Sequence, residues 1–75
     1  MFPTTHTTAL YGSRRRDQAL ETWREAASLV ATRWQTFLEA EPATREWAFA
    51  SYLAALDGEQ AAADELASLS SRIAA

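Results

Sequence analysis

The chain has no cysteine and no lysine, and only one histidine, two glycines and two prolines in 75 residues. Without cysteine there is no disulfide framework and no thiolate metal site, and this usage fits a reducing compartment, so a cytoplasmic location is expected. His6 stands alone among threonines with no carboxylate nearby, which does not make a metal site. No cofactor is expected. One histidine and two glycines cannot supply a phosphate-cradling loop or a Ser/His/Asp set, so an enzyme is not expected either. The opening MFPTTHTTAL has neither the basic flank nor the apolar run of a secretory signal. The uncharged stretch over 47–56 is too short to span a bilayer, so no membrane role is expected.

Because lysine is missing, every basic residue is arginine, and alanine is frequent. That usage resembles a GC-rich bacterial genome. The net charge of −3 argues against general affinity for nucleic acid. The charge is unevenly placed, however. Arg14, Arg15, Arg16, Arg24 and Arg33 lie in the first half against Asp17, Glu21 and Glu25. The second half carries Glu39, Glu41, Glu46, Asp57, Glu59, Asp64 and Glu65 against Arg45 and Arg72.

What the chain does have is apolar material: 48% hydrophobic residues, with three Trp, three Phe and two Tyr. A chain of this length buries a small share of its surface. With disulfides and metals closed to it, regular helix packing and association are the remaining routes to stability.

Residues 1–13, with Pro3, Gly12 and a threonine-rich run, show no helical period and read as a flexible tail preceding a single helical domain at 14–75. Over 17–40, Leu20, Trp23, Ala27, Val30, Trp34, Phe37 and Leu38 recur in steps that form one apolar stripe, which predicts an amphipathic helix about 34 Å long. Pro42 ends that helix and can open the next. The following segment, 42–56, is apolar on two sides, with Phe49, Tyr52, Leu53 and Leu56 opposite Trp47, Ala50 and Ala54, as expected of a helix held between neighbours. Asp57-Gly58 reads as a break, with Gly58 past a helix end and Asp57 and Gln60 forming a capping box for a third helix over 59–73.

The expected fold is therefore all-α: an antiparallel three-helix arrangement with a long first helix and a disordered N-terminal tail. The first helix should overshoot its shorter partners and leave Leu20 and Trp23 uncovered. Together with Trp47, Ala50 and Ala54 these form the expected interface of a homo-oligomer, a dimer being favoured, or of a complex with another protein. Trp34 is expected to anchor the core.

Arg14, Arg15 and Arg16 form a basic patch. Guanidinium groups suit phosphate or carboxylate partners, so the alternative function is a small regulator engaging nucleic acid or an acidic protein. The simpler reading is a solvated flank just outside a helix capped by Asp17. Ala54 and Gly58, four apart, resemble the turn of helix-turn-helix DNA-binding proteins at those two positions. The segment after them carries Glu59, Asp64 and Glu65, which phosphates repel, and Asp64 falls where that family has an apolar residue. The leading expectation is a non-enzymatic helical interaction module that self-associates through the apolar faces of its first two helices.

Overall fold

Two long helices and a two-residue turn make up the described residues. A computed structural model describes the backbone of residues 3–74 and the side chains of residues 14–71. Helix α1 spans Pro3–Glu39 and helix α2 spans Pro42–Ala74. At 1.5 Å per residue they are about 55 and 50 Å long. They pack as an antiparallel hairpin measuring 65 × 17 × 12 Å. Its radius of gyration, 17.7 Å, far exceeds the roughly 11 Å of a compact chain of this length.

The turn follows from Pro42. Proline pushes Glu41 out of the helical region and lacks the N–H needed to continue α1. The Ala40 amide donates back to the Phe37 carbonyl at 3.2 Å, tightening the end of α1. The Glu41 carbonyl then accepts the Thr44 amide at 3.0 Å as α2 begins. The Arg45 guanidinium donates to the Ala40 carbonyl at 3.4 Å, reaching across to one of the acceptors that a helix end leaves unpaired.

Four expectations are corrected. Among the described residues there is no third helix and no glycine at positive φ, because α2 continues through Asp57 and Gly58. A helical glycine costs only about 1 kcal/mol relative to alanine, and a continuous α2 offsets this by laying its distal half along α1. The helix-turn-helix resemblance at Ala54 and Gly58 falls for the same reason. The first helix is also not capped by Asp17 after a disordered tail, since the backbone is helical from Pro3. Finally, α1 does not overshoot its partner at Leu20 and Trp23. The distal half of α2 reaches back to the level of Leu20 and Trp23, and both are partly covered. The side chains of residues 1–13, His6 included, lie outside those described.

Two matching rows of residues build the seam. On α1 it runs Ala19, Trp23, Ala26, Val30, Arg33, Phe37, Ala40, and on α2 Ala48, Tyr52, Ala55, Glu59, Ala62, Leu66, Leu69. Both alternate steps of four and three, the spacing that keeps one stripe facing a partner helix. The Trp34–Tyr52 and Phe37–Phe49 ring pairs, with centroids 5.0 and 5.3 Å apart, fix the register. This register sets Phe37 level with Ala48, Val30 with Ala55, and Trp23 with Ala62. Pairing a large side chain with an alanine lets the helices approach closely.

The buried residues accordingly are mostly alanine. Ala19, Ala48, Ala55 and Leu69 are buried, and no large described side chain is fully enclosed. Ala48 is 2% exposed against the Phe37 level. Ala48→Leu is expected to overpack the seam and lower stability by about 1 to 3 kcal/mol, read as a shift in the urea midpoint. An unchanged midpoint would mean the helices are not in close approach there.

Candidate functional site

A hairpin has two broad faces, each bordered by the residues that flank the seam. On one face these flanking positions are Leu20, Ala27 and Trp34 of α1 with Phe49, Leu56 and Ala63 of α2. On the other they are Thr22, Leu29 and Thr36 with Ser51, Gly58 and Glu65. The first face is apolar along its length. The second is mostly small or polar.

The apolar face is bulkiest near the turn. Trp34, Phe37, Phe49 and Tyr52 form a chain of tilted ring contacts with centroids 5.0 to 6.2 Å apart. Such pairs contribute about 0.5 to 1.5 kcal/mol each beyond burial. Leu38 and Leu53 stand one turn beyond Trp34 and Phe49 on the same side. Despite these contacts Trp34 is 41% exposed, Leu38 57%, Phe49 42% and Leu53 44%. Four large apolar side chains in one contiguous patch on a small protein mark an interaction surface.

The opposite face holds two shallow furrows. One, of about 280 Å³, is lined by Ala26, Leu29, Arg33, Ser51, Ala54, Ala55 and Gly58. A second of similar volume is lined by Arg15, Gln18, Ala19, Thr22, Ala62, Glu65 and Leu69. Small side chains at the joint, Ala26, Ala54, Ala55 and Gly58 in the first and Ala19 and Ala62 in the second, leave room for both. Both are open and shallow, unlike the enclosed cleft of a ligand pocket.

The residues expected to form the interface do not share a surface. Leu20 lies on the apolar face and is partly covered, while Trp23 lies in the seam. Ala54 lines the first furrow, and Trp47, 64% exposed, projects on that same side of α2. Ala50 points away from α1. Trp34, expected to be a core anchor, instead borders the open patch, because with no third helix only one side of the apolar stripe is covered.

Arg14, Arg15 and Arg16 are exposed and lie within α1, about three turns past Pro3. The dipole effect is confined to the terminal turn, so their placement carries no such penalty. Successive side chains on a helix point about 100° apart and do not face one another. The three guanidiniums therefore fan outward.

Among the described residues no group of histidine, aspartate and glutamate stands together as a metal site, and neither helix is long and apolar enough to cross a membrane. No protein-family model, curated protein or solved structure is significantly similar to this chain, so its surface is read from its own geometry.

Proposed function

We propose that this chain is a non-enzymatic interaction module that self-associates through the broad apolar face shared by α1 and α2. One observation carries the reading: Trp34, Leu38, Phe49 and Leu53 remain exposed together on one side of a hairpin that encloses no large described side chain. A single seam lined by alanines buries little, and a chain of this size without cysteine has few other sources of stability. A second hairpin laid on the face converts the half-covered stripe into the interior of a four-helix bundle. The face is also large enough. A side of 65 × 17 Å presents on the order of 1,000 Å², against roughly 800 Å² per partner in a stable complex.

Sedimentation equilibrium tests this. The expected result is a dimer at micromolar concentration, with helicity that falls as dilution dissociates it. A strictly monomeric, cooperatively folded chain at high concentration would sink the reading. Salt-sensitive binding to a generic DNA duplex at physiological ionic strength would instead favour the regulator that uses Arg14 to Arg16.

A further inference from the structure

Self-association through this face leaves open how the second copy is oriented. A two-fold axis can run along the hairpin, placing the turns together, or across it, placing each turn near the open end of the other copy. We propose the first: the copies pack turn to turn, with α1 of each lying beside α2 of the other. This rests on the self-association reading above.

One feature of the face points this way, the uneven distribution of bulk. Trp34, Leu38, Phe49 and Leu53 all lie in the turn half, whereas Ala27, Ala63 and a partly covered Leu20 border the open half. An isologous contact brings a patch onto itself only if both copies present it at the same level. With the turns together, Trp34 and Leu38 of one copy meet Phe49 and Leu53 of the partner subunit, and all four exposed side chains are covered at once. Full overlap in the reversed orientation would lay Phe49 and Leu53 over Ala67 and Ala63 of the partner subunit and leave much of their surface wet.

The absence of cysteine gives a clean background for site-directed spin labelling. Glu41→Cys, at the exposed turn, carries one nitroxide per copy in the full-length chain, and double electron–electron resonance reads the distance between them. The expected result is a single distribution near roughly 20 Å, the width of two packed helices plus the labels. A distribution at about 50 Å or beyond, the length of the helices, would overturn the orientation while leaving self-association intact. Loss of dipolar modulation, with a monomer by sedimentation, would overturn both.

Discussion

Gly58→Pro is expected to cost about 3 kcal/mol or more, while Gly58→Ala is expected to raise stability by about 0.5 to 1 kcal/mol. The opposite signs follow from one fact: Gly58 lies inside a helix. Proline there would remove the amide that bonds to the Ala54 carbonyl and would force its ring against that carbonyl, at mid-length in α2. Folded domains are stable by only about 5 to 15 kcal/mol, so much of the distal half of α2 should lose its helix. Alanine meets no such obstacle. A Cβ built on Gly58 finds nothing within 4 Å, and its φ is not positive, so the substitution only removes freedom from the unfolded chain. Thermal melts followed by circular dichroism should show Gly58→Ala rising by roughly 2 to 8 °C and Gly58→Pro losing helical signal before heating begins. If the chain turned at this glycine the pattern would invert, with alanine harmful in a left-handed position and proline tolerated nearby. That inversion would return the three-helix arrangement.

The second large effect is on association. Leu53→Asp is expected to raise the dimer dissociation constant by about three orders of magnitude. A central apolar contact carries about 2 kcal/mol, and a symmetric dimer holds the substituted residue twice, giving about 4 kcal/mol in all. Leu53 is 44% exposed in the single hairpin, so the carboxylate remains in water until a second copy tries to cover it. Trp47→Ala is the contrast. It removes a larger side chain that is 64% exposed, but from the furrow side of α2, so the constant should stay within about twofold, as for a surface change of 0.5 kcal/mol or less. Sedimentation velocity across a dilution series separates the two. Equal weakening by both would place the interface elsewhere, and no weakening by Leu53→Asp would remove the apolar face from it.

The error over α2 has a specific source that was visible in the residues. Ala48, Tyr52 and Ala55 continue into Ala62, Leu66 and Leu69 without a shift of phase. A real break would restart the period, because two helices joined by a turn have no reason to share one. Asp57-Gly58 looked like punctuation, and Gly58 does lower local helix propensity. Its cost is nevertheless small beside the seam contacts made by the fifteen or so residues beyond it, and propensity yields to packing when the two compete. Residues 3–13 raise a related point. Threonines and a glycine argue for a tail there, yet the backbone continues as helix, and nothing in their apolar spacing announced it.

The sequence alone was enough to determine the helical class, the stop at Pro42, and an excess of apolar residues over what one short chain hides. These follow from local chemistry: proline geometry, the helical period, and composition. Only the tertiary structure decided which part of the α1 stripe is covered. Trp23, Val30 and Phe37 face α2, whereas Trp34 and Leu38 border the open patch. A helical period states that one side of a rod is apolar. Its width exceeds what a single neighbouring helix covers, and the choice of covered half is made by the register of α2, which the turn and the alanine row set together.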